Sequence, residues 1–193
     1  MRIIGGRYRG QRIRVPQGGR TRPTSDRVRE AVFDMLGDVP RGVVVLDLYA
    51  GSGALGLEAL SRGSDRAIFV DSSREACRII RDNAEALGVT DKCLIMKRDV
   101  EEFLRRYDDR ERRAQLIFMD PPYARGFPRG ALDLLLSWSG LGDPALIVME
   151  MASSSARALE ESGTFDENLT LMRRRNYSHT AVVIFRFSAG REN

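Results

Sequence analysis

The chain has 193 residues, 42% of them hydrophobic, and a formal net charge of +4. This size and apolar content are enough for one domain with a full hydrophobic core. No apolar run approaches the ~18 residues of a membrane-spanning helix, and the N-terminus has no signal-peptide pattern. Composition therefore argues against a membrane protein and predicts a cytoplasmic one.

Histidine and cysteine are too scarce for most metal sites. His179 is the single histidine, and Cys77 and Cys93 are the only cysteines. A single histidine excludes most His-based metal sites and argues against a His-dependent catalytic triad. We therefore expect no bound metal and no disulfide, with both cysteines acting as small apolar side chains in a reducing compartment.

Positive charge is concentrated in the first fifth of the chain. Residues 1–41 contain ten arginines against four acidic residues, and the first 22 residues contain seven arginines and no acid. Arginines alternate with Ile13 at the period of a strand, so a small basic β-hairpin over residues 1–22 explains the segment better than a solvated tail. Such a surface attracts phosphate, so we expect nucleic acid as the partner, contacted by Arg7, Arg9, Arg12 and Arg14.

Residues 23–193 form the predicted main domain, in which strand and helix patterns alternate. A helix capped by Thr24 or Ser25 runs to about Gly37. Apolar runs predict strands at 43–47, 66–71, 93–97, 115–119, 144–150, 169–174 and 180–187. Helices are predicted at 54–62, 73–87, 99–107, 129–138 and 153–161. The pattern predicts an α/β fold with a seven-stranded, mostly parallel sheet, whose last two strands form an antiparallel hairpin through Asn176-Tyr177-Ser178.

A glycine-rich turn follows the first predicted strand. Gly51, Gly53 and Gly56 match the pattern G-x-G-x-x-G, and Asp71 lies twenty residues after Gly51. This is also the dinucleotide-binding fingerprint, so a nicotinamide-dependent oxidoreductase is one interpretation. Asp47 favours S-adenosylmethionine instead, because it places a carboxylate where the cationic methionine end of that cofactor would lie.

The most informative segment is Asp120-Pro121-Pro122-Tyr123, directly after the strand at 115–119. A carboxylate at the carboxyl end of a parallel strand lies where open α/β sheets bind ligands. The two prolines hold the backbone extended and leave carbonyl oxygens without competing local amides. Together with the tyrosine ring, these acceptors suit a planar group that carries an amine. The segment therefore predicts an enzyme that methylates an exocyclic amine of a nucleobase. Hydride transfer has no use for such a segment, so it argues against the oxidoreductase.

Several other residues have two interpretations each. Asp71, with Ser72 beside it, is predicted to accept the ribose hydroxyls of the cofactor, or to cap the helix that starts at Ser73. Asp99 is expected to receive the adenine amine or to cap the next helix. Tyr49 lines the cofactor pocket or packs beneath the turn. Two aromatic residues in helix patterns, Phe103 and Trp138, are predicted to belong to the core.

With these motifs placed, the chain resembles the bacterial 16S ribosomal RNA guanine-N2 methyltransferases of the RsmD type nearly end to end. The resemblance is carried by the opening Arg2-Ile3-Ile4-Gly5-Gly6, by Arg22-Pro23-Thr24-Ser25-Asp26-Arg27-Val28-Arg29-Glu30, by the run from Asp47 to Gly63, and by Asp120-Pro121-Pro122-Tyr123.

Membership would imply a class I, Rossmann-like methyltransferase fold and S-adenosylmethionine as cofactor. It would also imply as substrate a specific guanine, of the guanine 966 type, in 16S rRNA within a small ribosomal subunit or assembly particle. We further expect Arg22 and Thr24, in the linker beside the pocket, to help close the site over cofactor and base. The proposed chemistry needs no metal, and we expect a monomer. The alternatives are a DNA adenine-N6 methyltransferase, a nicotinamide oxidoreductase and a non-catalytic RNA-binding assembly factor.

Overall fold

The computed structural model describes residues 1–16, 26–37, 41–108, 113–121, 129–162, 166–177 and 180–190, without the side chains of 158–162. Within these ranges the strands are β1 (Val44–Leu48), β2 (Arg66–Asp71), β3 (Cys93–Lys97), β4 (Ala114–Met119), β5 (Leu141–Ala152), β6 (Leu169–Tyr177) and β7 (Thr180–Phe187). The helices are α1 (Asp26–Leu36), α2 (Ala54–Ser61), α3 (Arg74–Leu87), α4 (Val100–Arg106), α5 (Arg129–Leu136) and α6 (Ser153–Ser162). No described helix is both long enough and apolar enough to span a bilayer.

All seven strands form one sheet in the order β3-β2-β1-β4-β5-β7-β6. The strands from β3 to β5 pair in parallel, and β7 runs antiparallel to both of its neighbours. The predicted α/β fold with a mostly parallel seven-stranded sheet is therefore confirmed. Strand order reverses between β1 and β4, which creates the crevice where sheets of this kind bind ligands.

The boundaries of β1, β4, β5 and β6 differ by one to three residues from the predicted ones. β1 ends at Leu48, so Asp47 lies inside the strand, and β5 begins already at Leu141. β6 continues through Asn176 and Tyr177, which pair with Ala181 and Thr180. The predicted turn is too early because polar residues indicated a loop, whereas β6 is an edge strand on which polar residues such as Arg173, Arg175 and Asn176 stay exposed.

Helices cover both faces of the sheet, and each face has its own apolar core. α1, α2 and α3 pack on one face against residues such as Phe69 and Phe118. α4, α5 and α6 pack on the other face, where Phe103 and Trp138 are buried in the core as predicted. The indole N–H of Trp138 donates to the Tyr107 carbonyl at 2.6 Å, which satisfies the polar atom of this buried ring.

The N-terminal arm, defined as residues 1–16, folds back on itself as the predicted small hairpin. A single antiparallel bridge joins Arg2 to Arg12, with a turn region between them. Ile3 and Ile13 are buried in the same apolar core as α2 and α3. The N–H groups of Ile3, Gly10 and Ile13 donate across the arm to the carbonyls of Gln11, Ile3 and Met1 at 2.9, 2.9 and 3.1 Å. Other polar groups of the arm bond to α2 and α3.

Candidate active site

Three carboxylates lie at the carboxyl edge of the sheet, where the strand order reverses. Asp47 is the fourth residue of β1, Asp71 ends β2 and Asp120 directly follows β4. Because β1 pairs in parallel with both β2 and β4, the three residues come from adjacent strands. Parallel topology thus brings together residues that are up to 73 positions apart in the sequence.

The turn between β1 and α2, residues 49–53, adopts a left-handed backbone at three positions. Tyr49, Gly51 and Gly53 have φ values of 61°, 56° and 75°. Glycine adopts this region without a steric penalty, so the two glycines suit the turn. The N–H of Gly51 donates to Oδ2 of Asp71 at 2.8 Å. The carboxylate at the end of β2 therefore fixes the turn that follows β1.

Asp47 is buried under the first part of α2, where it is 2% exposed. Its Oδ2 atom accepts the N–H of Gly56 at 2.9 Å. Burial raises the pKa of Asp47 well above its usual range; the Gly56 bond lowers that pKa, while nearby Asp120 and Asp71 raise it further. The site therefore favours the neutral acid unless a positive charge lies nearby.

Asp71 holds two backbone groups at the end of β2. In addition to Gly51, Ser73 donates its N–H to Oδ1 of Asp71 at 2.8 Å. The N-cap of α3 is Ser73 itself, whose side chain accepts the N–H of Ala76, so Asp71 is not the cap residue. Asp71 is half-buried and Ser72 beside it is exposed. Because a carboxylate oxygen can accept more than one hydrogen bond, Asp71 can also accept ribose hydroxyls, and this role stays a prediction.

Of the two roles predicted for Asp99, the structure shows the helix cap. The exposed Asp99 caps α4, where its Oδ1 accepts the N–H groups of Glu101 and Glu102 at 2.9 and 3.2 Å. Tyr49 is half-buried and packs against the core on the α4 side of the sheet. The adenine contact of Asp99 and a cofactor contact of Tyr49 stay predictions.

The predicted catalytic segment starts at the central crevice. Asp120 is half-buried and Pro121 is buried, directly after the last residue of β4. Asp120 is close enough to Asp47 to raise its pKa. Pro122 and Tyr123 lie outside the described residues, as do Arg22 and Thr24.

The arginines predicted to contact nucleic acid are on the outer surface of the N-terminal arm. Arg7, Arg9, Arg12 and Arg14 are all exposed. Arg14 forms an ion pair with Asp82 of α3 at 3.0 Å while its side chain stays 75% exposed. The structure thus presents these cations to solvent on an arm that is attached to the domain.

This arm is attached to α1 and α2 by a buried cluster of charged residues. This cluster was not predicted from the sequence. Glu58 of α2 is fully buried and accepts the N–H groups of Ile4 and Gly5 at 2.8 and 2.7 Å. It also accepts from Nε of Arg62 at 2.9 Å, and Nε of the fully buried Arg29 lies 3.8 Å away. Arg29 in turn donates to the carbonyl of Arg2. One carboxylate thus joins the arm to α1 and α2.

Two further buried polar residues complete the attachment. Ser61 of α2 accepts the N–H of Tyr8 at 2.9 Å and donates to the carbonyl of Gly5 at 2.6 Å. Asn83 of α3 bonds to the backbone of Arg14. The available sequence signal was a polar residue at a helix position that otherwise faces the core, which is uncommon unless the polar group has a partner.

Comparison with known proteins agrees with this architecture. The family model described as "Conserved hypothetical protein 95" matches residues 1–186. A Bacillus subtilis (strain 168) protein named "Putative rRNA methyltransferase YlbH" is 36% identical, over 96% of this chain and 98% of its own length. The "Ribosomal RNA small subunit methyltransferase D" of Escherichia coli (strain K12) is 37% identical over 78% of this chain and 74% of its own length.

The fold is also found among solved structures. The structure of "Putative methyltransferase yhhF" from Escherichia coli superimposes with a TM-score of 0.84 and is 33% identical, covering 98% of this chain and 99% of its own. The match of the family model over almost the whole chain, together with these relatives, shows that the chain belongs to the RsmD-type family of methyltransferases.

Proposed function

We propose that this protein transfers a methyl group from S-adenosylmethionine to the N2 amine of a specific guanine in 16S rRNA, within a small ribosomal subunit or an assembly particle. The observation that carries the proposal is the position of Asp120 and Pro121. They follow β4 at the point where the strand order reverses, next to the β1–α2 turn and the carboxylates Asp47 and Asp71.

The residues at the turn fit S-adenosylmethionine. The left-handed glycines let a ligand approach the backbone closely, and Asp71 offers carboxylate oxygens beside them. Asp47 lies under the same turn, and its ionised form is favoured by a nearby cation such as the methionine end of this cofactor. When bound, this cofactor supplies an electrophilic methyl group on positively charged sulfur.

Asp120 and Pro121 supply oxygen acceptors for the amine that is methylated. A guanine N2 amine is a poor nucleophile because its lone pair is delocalised into the ring. Acceptors at the Asp120 carboxylate and the Pro121 carbonyl hold the two N–H hydrogens and favour a pyramidal nitrogen whose lone pair points to the methyl group. As the N–C bond forms and the S–C bond breaks, one of these protons is released to the Asp120 carboxylate. Positioning of this kind supplies most of the rate acceleration in the proposal. The sequence motif adds Pro122 and Tyr123, with the tyrosine ring holding a base that has left its stack.

The N-terminal arm supplies the surface for the RNA. Its four exposed arginines are carried on backbone that Glu58, Ser61 and Asn83 hold in place. Such an arrangement contacts phosphates without reading a long sequence. Specificity then comes from the shape of a folded RNA–protein surface that presents an unpaired guanine.

Nucleoside mass spectrometry tests the proposal. Small-subunit particles from cells that lack the protein are incubated with it and with S-adenosylmethionine, beside naked 16S rRNA and duplex DNA. N2-methylguanosine formed mainly in the particles supports the proposal. N6-methyladenosine, or equal activity on duplex DNA, would favour a DNA methyltransferase. Absence of methyl transfer to every substrate would favour a non-catalytic assembly factor.

A further inference from the structure

Asn83 in α3 connects the N-terminal arm to the β1–α2 turn through a single side chain. It is 2% exposed. Its Nδ2 donates to the carbonyl of Arg14 and to the carbonyl of Ser52, both at 3.0 Å. Its Oδ1 accepts the N–H of Arg14 at 2.7 Å. Both amide donors and the acceptor are therefore committed to two segments that are far apart in the sequence.

The bond to Ser52 acts on the part of the turn that is proposed to hold the cofactor. Ser52 lies between Gly51 and Gly53, which both have a left-handed backbone. Asp71 accepts the Gly51 N–H, and Asn83 donates to the Ser52 carbonyl. These two side chains hold the turn in addition to the backbone bond from the Ala50 N–H to the Val70 carbonyl, and of the two it is Asn83 that also holds the arm.

The bonds to Arg14 act on the arm beyond Ile13. Upstream, Ile4, Gly5 and Tyr8 are held by α2. At position 14, the backbone is held by Asn83, while the exposed Arg14 side chain is held by the neighbouring residue, Asp82. Asp82 therefore contacts the same arm residue as Asn83 through a separate bond.

We propose that Asn83 is a positioning residue that couples the two segments, so that cofactor binding at the turn and RNA binding by the arm favour each other. The RNA half of this coupling rests on the proposed function. A ligand that fixes the turn also fixes the Ser52 carbonyl and hence the Asn83 amide, which favours the docked state of the arm over a released one. The linkage is reciprocal, and couplings of this kind typically change affinity about 5- to 150-fold.

Hydrogen exchange tests the coupling without RNA. In the wild-type protein, S-adenosylhomocysteine should slow exchange of the amides in residues 11–16 by about fivefold or more. In Asn83→Ala this effect should be absent. Asn83→Asp has nearly the same shape but places an oxygen against the carbonyls of Arg14 and Ser52, so it should also lose the effect. This variant replaces the alanine variant if the latter does not fold. Asp82→Ala removes the contact to the Arg14 side chain and an ion pair with Arg78 within α3, but leaves the Asn83 bonds in place, so it should keep the effect.

Binding to small-subunit particles gives the second measurement. S-adenosylhomocysteine should tighten particle binding by about fivefold or more for the wild type and for Asp82→Ala, and leave it unchanged for the Asn83 variants. Folded Asn83 variants that retain both cofactor effects would overturn the coupling. If neither the wild type nor any variant binds particles, the RNA role of the arm is refuted. The exchange result alone then decides whether Asn83 links the turn to the arm.

Discussion

The Oδ2 atom of Asp47 lies 2.9 Å from the backbone nitrogen of Gly56 and accepts its N–H. A Cβ atom at position 56 would lie 3.1 Å from that oxygen and 2.4 Å from the ring of the fully buried Phe69. The first part of α2 therefore rests directly on a carboxylate and an aromatic ring. Glycine is required at this position by the lack of space.

Gly56→Ala should consequently lower the free energy of unfolding by about 1–3 kcal/mol, the usual cost of overpacking a core. Urea denaturation measures this directly. Gly130→Ala is the matched control, because the added Cβ in α5 would meet nothing closer than Glu101 Oε1 at 3.6 Å. That variant should be neutral or more stable by up to ~1 kcal/mol. Equal losses in the two variants would contradict the packing argument.

Asp47 should make stability depend on pH. Because burial raises its pKa in the folded protein, folding takes up a proton between the ordinary pKa and the raised one. The stability contribution is therefore fully present below the ordinary value and is lost as pH rises through the raised value. Asp47→Asn keeps an oxygen for the Gly56 N–H and removes the titration. Its unfolding free energy should fall less with rising pH than that of the wild type.

Denaturation curves from about pH 4 to pH 9 for both proteins check this expectation, since the range begins at the ordinary pKa of an aspartate. Asp65→Asn, at an exposed position, serves as the control and should follow the wild-type curve. If Asp47→Asn and the wild type had parallel pH profiles, Asp47 would not be the group responsible.

Glu58 should be among the most costly side chains to remove. Glu58→Ala takes the acceptor from two arm N–H groups and leaves the fully buried Arg29 without its carboxylate neighbour in α2. Breaking a buried ion pair in this way costs about 3–5 kcal/mol. The exposed pair of Glu102 and Arg106 gives a control, for which Glu102→Ala should cost less than about 1 kcal/mol. A loss below ~1 kcal/mol for Glu58→Ala would mean that the arm is held by its apolar contacts.

The sequence alone is sufficient to predict the parallel sheet and the position of the three aspartates at its carboxyl edge. Apolar runs ending in Asp47, Asp71 and Asp120 predict three strand ends, and parallel topology then brings them to one edge. The attachment of the arm was not predictable in this way. Its bonds join Glu58 to Gly5 and Asn83 to Arg14, which are 53 and 69 residues apart, and no local periodicity encodes such pairs. Only the burial of a polar residue in a helix indicates that a distant partner exists.

The exposed arginines of the arm should determine the salt dependence of RNA binding. Replacing Arg7, Arg9, Arg12 and Arg14 by alanine removes up to four phosphate contacts. The slope of log affinity against log salt should then fall by up to about three units. S-adenosylmethionine affinity should hardly change, because these side chains point to solvent.

Filter binding to small-subunit particles at several salt concentrations measures this slope. A variant that lacks Arg105, Arg106, Arg129 and Arg157, exposed arginines of α4, α5 and α6, loses the same charge from the opposite face of the sheet. Its slope should stay near that of the wild type. If both variants lowered the slope equally, the effect would come from total charge and not from a specific surface.

Asp120 and Asp71 should separate catalysis from cofactor binding. Asp120→Ala removes the acceptor proposed for the guanine amine, so methyl transfer should be abolished while S-adenosylmethionine affinity stays within several-fold. Asp71→Ala should weaken cofactor affinity roughly ten- to hundredfold, the value of ~1.5–3 kcal/mol for hydrogen bonds to a charged group. It should also loosen the turn, because Gly51 and Ser73 lose their shared acceptor. Calorimetry with the cofactor and a radiolabelled methyl-transfer assay on particles distinguish the two variants. Near wild-type turnover by Asp120→Ala would refute its assigned role, and unchanged cofactor affinity in Asp71→Ala would leave Asp71 with a purely structural one.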